Sequence, residues 1–176
     1  MSGRTTPRVD FAVIREVAET YDKCVRTYTP RTKINVELTK RQHEAYCRAL
    51  ENRNVKLIRI PADNSLPDCV FVEDPAIVYK GKAIICRMGV ESRVREAQEV
   101  RKTISQHVET MMEIKPPATI EGGDVLRVRD DLLVGLTART NMAGIDQLRE
   151  ILKNEECNVT PVKVRNILHL KSACSY

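Results

Sequence analysis

The sequence lacks the long apolar runs of a membrane protein. No window of its 176 residues approaches the roughly 18 consecutive apolar residues that a spanning helix requires. The basic residues near its start are not followed by the apolar stretch of a secretory signal. We therefore expect a cytoplasmic protein with no membrane partner. Hydrophobic residues make up 42% of the chain, which is enough to bury the core of one domain.

Aromatic residues and clustered basic residues are scarce as well. Aromatic residues make up 4% of the chain, and its 29 basic residues are interleaved with 24 acidic ones. Nucleic-acid-binding surfaces usually combine basic tracts with stacking aromatic side chains, so we expect no nucleic-acid partner. The six cysteines include no C-x-x-C pair. This spacing favours small buried thiols over a disulfide framework.

Hydrophobic periodicity predicts an α/β fold made of short strands and three helices. The predicted strands cover residues 11–14, 55–60, 69–79, 83–86, 108–114, 124–128, 132–136 and 159–164. The predicted helices cover residues 36–53, 92–107 and 141–153. In the first helix, the inward face is expected to carry Leu38, Ala45, Tyr46, Ala49 and Leu50. In the second, we expect it to carry Val94, Ala97, Val100, Arg101 and Ile104.

The order hairpin, helix, strand occurs twice in full, and the first segment resembles an incomplete copy. Each full copy also carries the pattern D…hairpin…G-x-x-x-R, from Asp74 to Arg93 and from Asp124 to Arg139. Such a period of roughly fifty residues suits β-rich units arranged radially around one centre. We expect a single domain with units at about 11–60, 68–114 and 119–164, and a fourth beginning at 167.

The run LPDCVFVEDPAIV, residues 66–78, places three acids within an apolar segment: Asp68, Glu73 and Asp74. Buried carboxylates are costly unless cations or hydrogen-bond donors meet them. In a radial arrangement these acids would converge with Asp124 and with the two repeated arginines, forming a site for a ligand that bears both a cation and an anion. The alternative is that Arg93 and Arg139 are surface residues that flank helices.

Four separated blocks, in this order, resemble the dimethylarginine dimethylaminohydrolase family of the arginine-deiminase-like, guanidino-group-modifying superfamily. They are LPDCVFVED, the segment ending at Ser92-Arg93, TIEGGDVL followed by VGLTARTN, and HLKSACS. The resemblance runs from about Phe11 to the last residue. It implies a five-bladed α/β propeller of ββαβ units, of which about three are present here. It also implies hydrolysis of Nω-methylated arginines to citrulline and methylamines by a Cys/His mechanism, with no cofactor and no metal.

The same resemblance implies roles for single residues. His169 looks like the general acid and base, and Glu121 like the group that orients it, with Gly122 and Gly123 allowing close backbone approach. A lone histidine between two leucines is otherwise more often a core residue. The residues implied in substrate binding are Asp68 and Asp74 for the guanidinium, Glu73 for the amino group, Arg93 and Arg139 for the carboxylate, and Val25 as an apolar lid position.

The family's nucleophile is a cysteine close to its C-terminus, whereas this sequence ends at Tyr176, soon after His169. Cys174 is the nearest cysteine in sequence, but the matching position in the family is not the nucleophile. We therefore expect the 176 residues alone to be inactive, and to be either a fragment or a chain completed by pairing with a full-length partner. The alternatives are a non-catalytic module that binds guanidino ligands and a sibling arginine deiminase.

Overall fold

The structure, a computed structural model, describes residues 10–27 and 32–176. The chain divides into two compact units, Met1–Val70 and Phe71–Tyr176. Helices and strands alternate in both, so the fold is α/β, as predicted. Within the described residues, no helix has the length and apolar character needed to cross a bilayer.

The first unit contains two parallel strands joined through one helix. Strand β1 (Phe11–Arg15) pairs with β2 (Lys56–Ile60), and helix α1 (Val36–Glu51) lies between them in sequence. Parallel neighbours need such a crossover connection, which α1 supplies. Asn35 begins the helix, because its side chain accepts a hydrogen bond of 2.9 Å from the Leu38 amide. Within residues 10–27 and 32–70, the structure shows no counterpart of the first strand of a full hairpin–helix–strand copy.

The predicted inward face of α1 is wrong except at Leu50, which is half-buried. Leu38 is 42% exposed and Tyr46 is 57% exposed, while Cys47, on another face, is completely buried. Ala45 and Ala49 are exposed too. Helical spacing shows which residues share a face, but it does not show which face the rest of the unit covers. Here the smaller apolar side chain of Cys47 is the one that packs inward.

The second unit contains two copies of one topology. Its strands are β3 (Ala76–Tyr79), β4 (Lys82–Ile85), β5 (Thr110–Glu113), β6 (Val125–Val128), β7 (Asp131–Leu136) and β8 (Val159–Lys163). Its helices are α2 (Ala97–Ile104) and α3 (Met142–Ile151). The sheet orders are β3-β4-β5 and β6-β7-β8, each with an antiparallel first pair and a parallel second pair. The predicted order of hairpin, helix and strand is therefore confirmed in both copies.

The largest differences between predicted and observed boundaries are at the starts of β3 and α2. The strand expected from residue 69 begins only at Ala76, and residues 69–75 consist mainly of turns. Pro75 has no backbone N–H to donate, which disfavours extending the strand through it. The helix expected from residue 92 begins as a 3-10 segment, Glu91–Glu96, before α2, and Arg101 is exposed rather than inward.

One apolar core holds the second unit together. It draws on both sheets and on α3, and its buried members include Ile77, Ile84, Ile114, Leu132, Val134, Ile145 and Leu148. In each antiparallel hairpin, the start of the first strand lies beside the end of the second. The segments that precede β3 and β6 therefore lie next to those that follow β4 and β7. These four ends carry the acids and arginines of the repeated pattern.

Candidate active site

Buried charged groups cluster where these strand ends meet. Asp74 and Asp124 precede the first strands of the two sheets, and Arg93 and Arg139 follow the second strands. Glu121 and His169 join them, and all six side chains are buried. The predicted convergence is thus found for Asp74, Arg93, Asp124 and Arg139. The cluster also includes His169 and Glu121, the two residues that the resemblance implied to be catalytic.

Asp74 links the backbone of one repeat to the arginine of the other. Its Oδ1 accepts a hydrogen bond of 3.1 Å from the Gly123 amide, and its Oδ2 accepts one of 3.1 Å from Arg93 Nη1. The carboxylate that was assigned to the substrate guanidinium therefore contacts Arg93, which was assigned to the substrate carboxylate. Opposite charges attract more strongly when they are buried than in water. The Asp74 carboxylate therefore forms an ion pair with an arginine of the protein, Arg93.

Arg93 makes its main contact with Glu96, which the sequence analysis missed. Its Nε and Nη2 donate to the Glu96 carboxylate at 3.0 and 2.9 Å, and both side chains are buried. Burial alone would lower the pKa of Arg93. The hydrogen bonds that Arg93 donates to Glu96 and the charges of Glu96, Asp74 and Glu121 raise that pKa instead, so the guanidinium stays protonated. The spacing of three residues between Arg93 and Glu96 was the available signal.

Glu121 contacts both repeated arginines as well as the histidine. Its Oε1 accepts from the Gly89 amide at 2.9 Å and from Arg139 Nη1 at 3.4 Å. Its Oε2 lies 3.7 Å from Arg93 Nη1 and 3.4 Å from His169 Nε2. Within the described residues, Oε2 has no donor at hydrogen-bond geometry, although it is fully buried. This oxygen faces His169 and Arg93 and can still accept a hydrogen bond.

His169 lies between three carboxylates. Its Nε2 is 3.4 Å from Glu121 Oε2 and 3.7 Å from Asp74 Oδ1, and its Nδ1 is 3.4 Å from Asp124 Oδ2. Burial alone would lower the pKa of His169. The interaction with Asp124 and the charges of Asp74 and Glu121 outweigh burial and raise that pKa above its ordinary value of 6.5. The imidazole is thus favoured in its protonated form.

Asp124 is fully buried and its carboxylate is surrounded by donors. Its Oδ2 accepts from the Thr137 and Thr140 hydroxyls, each at 2.7 Å, and its Oδ1 accepts from the Leu170 amide at 3.0 Å. Burial alone would raise its pKa, but contacts with His169, the two threonines and the Leu170 amide lower it. Thr137 and Thr140 belong to the quoted block VGLTARTN, yet the sequence analysis gave them no role.

Two glycines allow this close assembly. A Cβ atom on Gly123 would lie 2.8 Å from His169 Cδ2 and 2.7 Å from Asp74 Oδ1. A Cβ atom on Gly122 would lie 2.0 Å from the Glu73 carbonyl oxygen. Side-chain atoms do not fit at such distances, so the predicted close backbone approach beside the histidine is confirmed.

The other predicted substrate-binding residues have contacts of their own. Glu73 is exposed, and its Oε1 lies 2.6 Å from Lys171 Nζ, a partner that the sequence analysis missed. Val25 and Asp68 belong to the first unit, where both Asp68 oxygens accept from the Val25 amide at 3.1 Å. Asp68 is buried, whereas Val25 is 39% exposed.

The donor atoms of Asp74, Glu121 and His169 lie within 4.8 Å of one another, a spacing compatible with a metal ion. Arg93 already brings a guanidinium to 3.1 Å from Asp74 and 3.7 Å from Glu121. We therefore interpret the group as an ion-pair cluster rather than as a metal centre. Chemically, such a cluster can hold a proton on the imidazole and attract a cationic ligand.

The chain is similar to enzymes that act on guanidino compounds. The family model described as arginine deiminase matches residues 61–176. The dimethylarginine dimethylaminohydrolase of Pseudomonas aeruginosa is 38% identical over 136 residues, 77% of this chain and 54% of that protein. The enzyme of the same name from Streptomyces coelicolor is 34% identical over 162 residues, 92% of this chain and 63% of that protein.

A solved structure shows the same likeness in three dimensions. It is a cysteine-to-serine mutant of the Pseudomonas aeruginosa enzyme complexed with citrulline, with a TM-score of 0.89 and 33% identity. The match covers 93% of this chain and 64% of that one, so this chain spans less than two thirds of the proteins it resembles. The family model covers the greater part of this sequence. The chain therefore belongs to the arginine deiminase family, and within it resembles the dimethylarginine dimethylaminohydrolases.

Proposed function

We propose that this chain supplies the guanidino-binding and acid–base part of an enzyme that hydrolyses Nω-methylated arginines to citrulline and methylamines. The relatives named for this reaction, and the citrulline in one of their structures, support the substrate class. The observation that carries the proposal is the buried cluster of acids around His169.

The charge of this cluster favours a cationic ligand. Asp74, Glu96, Glu121 and Asp124 bring four carboxylates, against the two guanidinium groups of Arg93 and Arg139. The sum is −2 with a neutral His169 and −1 with a protonated one. An uncompensated buried charge is costly, and a planar guanidinium is a good partner for carboxylates because it donates several charge-assisted hydrogen bonds. Asp74 is the group we propose to meet it, by exchange with Arg93.

His169 is proposed as the general acid and base. In the family's reaction a thiolate attacks the guanidinium carbon, a proton goes to the departing amine, and water then attacks the thiouronium intermediate. An imidazole that begins protonated can give the first proton and then accept one from the water. The raised pKa of His169 supports that starting state. Positioned groups of this kind contribute about 10²–10⁴-fold to a rate.

The remaining site residues keep roles that stay predictions. Asp68 is proposed to assist in guanidinium binding, and Val25 to act as the lid position. Glu73 is proposed to bind the substrate amino group, for which it would have to leave Lys171. Arg139, with Arg93, is proposed to bind the substrate carboxylate, because arginine matches carboxylate geometry. No metal or cofactor is part of this proposal.

The fold proposal is a five-bladed α/β propeller of which about three blades lie in this chain. The two sheets of the second unit have the order expected for ββαβ blades at about 68–114 and 119–164. Residues of about 11–60 would form an incomplete blade, and a fourth would begin at 167, within one domain. We expect the rest of the propeller, and the nucleophilic cysteine, to come from polypeptide beyond these 176 residues.

The cysteines of the chain support a nucleophile from elsewhere. Cys86 is buried, and burial together with the charges of Asp74 and Glu121 raises its pKa, which disfavours the reactive thiolate. Cys174 is exposed, and its thiol donates to the Leu170 carbonyl at 3.5 Å. The negative groups beside Cys86 are the opposite of the electropositive surroundings that activate a thiol. The 176-residue protein is therefore expected to bind substrate without turning it over.

Two measurements test the proposal. Calorimetry with dimethylarginine should show binding to the 176-residue protein, and Asp74→Asn should abolish it while Asp146→Asn, an exposed acid on α3, leaves it unchanged. A citrulline assay should show no release. Binding that survives Asp74→Asn would contradict the assigned site. Turnover that disappears in Cys174→Ser would show that the nucleophile lies within the chain.

A second candidate is hydrolysis of free arginine, because the matching family model is described as arginine deiminase. Parallel titrations with arginine and dimethylarginine separate the two: tighter binding of dimethylarginine supports the first proposal, and tighter binding of arginine supports the second.

If both ligands bind, and a mixture with a full-length homologue still releases no additional citrulline, the chain is a non-catalytic guanidino-binding module. Citrulline formed only in the mixture would instead support pairing with a full-length partner.

A further inference from the structure

Arg15 is a buried arginine in the first unit, and its charge is not matched by an acid. It is the last residue of β1, and its side chain is 2% exposed. Its Nε donates to the Pro61 carbonyl, a neutral acceptor, at 3.1 Å. Among the described residues, Arg15 forms no ion pair, and its buried Nη1 has no hydrogen-bond partner. The sequence of residues 1–9 and 28–31 contains no aspartate or glutamate that could supply a carboxylate side chain.

The other buried arginines within the described ranges each meet a carboxylate. Arg93 donates to Glu96 at 2.9 Å, and Arg139 donates to Glu121 at 3.4 Å. A buried charge without a partner is costly, because burial removes its water and nothing replaces it. The unmatched guanidinium of Arg15 therefore indicates an anionic partner that residues 10–27 and 32–176 do not supply.

The topology of the sheets indicates what kind of partner this is. β1 pairs in parallel with β2, as β4 pairs with β5 and β7 with β8. β1 therefore has the position in its sheet that β4 and β7 have in theirs. Those two strands also have an antiparallel neighbour, β3 or β6, whereas the sheet of the first unit contains only two strands within the described residues. A strand of polypeptide can pair with such an edge.

In both complete sheets, an acid before the first strand bonds to a side chain that follows the second strand. Asp124 directly precedes β6, and its Oδ2 accepts from the hydroxyl of Thr137, the residue after β7, at 2.7 Å. Asp74 precedes β3, and its Oδ2 accepts from Arg93, which follows β4, at 3.1 Å. Arg15 ends the corresponding strand of the first unit. An acid that precedes an antiparallel neighbour of β1 would therefore lie beside its guanidinium.

We propose that Arg15 binds a carboxylate carried by a polypeptide strand that pairs with β1. The strand would come from polypeptide beyond these 176 residues, so the inference rests on the proposed fold, but Arg15 has no part in the proposed chemistry. The carboxylate would accept from Nη1 while Nε keeps the Pro61 carbonyl. Because Nη1 is buried, the two charges would meet out of water, where a charge-assisted hydrogen bond is strong. Such a pair would also select one register of the incoming strand.

Urea unfolding of the 176-residue protein tests whether the Arg15 charge is unmatched. Arg15→Met keeps a long side chain and removes the charge, so the urea midpoint should rise. Arg149→Met is the control: Arg149 Nε also donates to a backbone carbonyl, that of Val159, at 3.0 Å, but its Nη1 is paired with Asp146. The control midpoint should stay the same or fall. An unchanged or lower midpoint in Arg15→Met overturns the proposal, because the charge would then already be compensated.

A synthetic peptide tests the nature of the partner. The probe is Gly-Gly-Asp-Val-Leu-Arg-Val with blocked ends, which copies residues 122–128, the acid and the first strand of the third sheet. A second peptide carries Asp124→Asn. In calorimetry the first peptide should bind the wild type about tenfold more tightly than the second, as a hydrogen bond between charged groups allows. This difference should vanish with the Arg15→Met protein and persist with Arg149→Met.

The remaining outcomes decide against the proposal. Equal binding of the two peptides to the wild type, or binding of neither, overturns it. A wild-type urea midpoint that rises with sodium acetate but not with the first peptide makes the partner a free anion rather than a strand. No guanidino ligand is present in these measurements, so failure of dimethylarginine binding would leave them unaffected, and the reverse also holds.

Discussion

Removing the charge of Glu96 should destabilise the protein strongly, although this residue lies outside the predicted site. Arg93 donates three hydrogen bonds to it, at 3.0, 3.2 and 2.9 Å, between buried side chains. Breaking a buried ion pair by removing one partner costs about 3–5 kcal/mol. Asp74 remains at 3.1 Å from the guanidinium and compensates in part. We therefore expect Glu96→Gln to lower the free energy of unfolding by about 3 kcal/mol.

Urea unfolding followed by circular dichroism measures this loss. With a typical dependence of about 1–3 kcal/mol per molar urea, the midpoint should fall by roughly 1–3 M. The chain offers a control in which an acid and an arginine are also three residues apart. Arg149 Nη1 lies 2.8 Å from Asp146 on α3, but these side chains are 39% and 59% exposed. Exposed pairs contribute about 0–1 kcal/mol, so Asp146→Asn should hardly move the midpoint.

The comparison has a clear negative outcome. If Glu96→Gln and Asp146→Asn lower the midpoint equally, burial does not determine the strength of the Arg93 pair. The ion-pair description of the site would then be wrong. A large loss in Glu96→Gln alone supports it. The same variant should leave the fold recognisable by its far-ultraviolet spectrum, because glutamine has nearly the same volume and packing is preserved.

Three further predictions follow from other parts of the second unit. Gly144→Ala should lower the free energy of unfolding by about 1–3 kcal/mol in the same urea assay, despite the helix preference of alanine. The reason is that its Cβ would lie 2.1 Å from the Thr119 carbonyl oxygen. An unchanged or higher urea midpoint would contradict this. A thiol reagent should label exposed Cys174 much faster than buried Cys86, whose pKa is raised, and equal labelling by mass spectrometry would argue against that burial. Since the folded-state pKa of His169 lies above the ordinary 6.5, its stabilisation is complete below pH 6.5 and is lost as the pH rises through the folded value. Unfolding of the wild type and His169→Gln between about pH 5 and about pH 9 should therefore converge, and a constant difference would refute the linkage.

The repeated fold was predictable where turn chemistry is local. Lys80 and Gly81 both have positive φ, at 45° and 76°, as the two-residue turn of a hairpin requires, and glycine is a common residue in such turns. The start of β3 was not predictable from polarity, because Cys69 is apolar and buried yet belongs to a turn. The inward face of α1 was also missed. Deciding it needs knowledge of what packs against the helix.

The candidate site was predictable at its four repeated positions but not in its pairing. The pattern D…G-x-x-x-R placed Asp74, Asp124, Arg93 and Arg139 together, because hairpin geometry brings matched positions to one edge. It did not show that Arg93 would bind Glu96. Arginine and glutamate three residues apart occur on many exposed helices, where the pair contributes little. Only burial, which depends on the whole fold, turns this pair into part of the site.

The excess of buried negative charge connects the two chemical properties of the site. Burial alone would lower the pKa of His169, but the interaction with Asp124 and the charges of Asp74, Asp124 and Glu121 outweigh burial and raise that pKa. The same carboxylates would attract the guanidinium of a ligand. The positive charge of a bound ligand and that of protonated His169 would therefore be stabilised by the same negative groups. A cation that enters the site therefore weakens the hold on the proton. In the proposed reaction a proton must first reach the departing amine, so ligand binding itself would favour the role proposed for His169 as the acid.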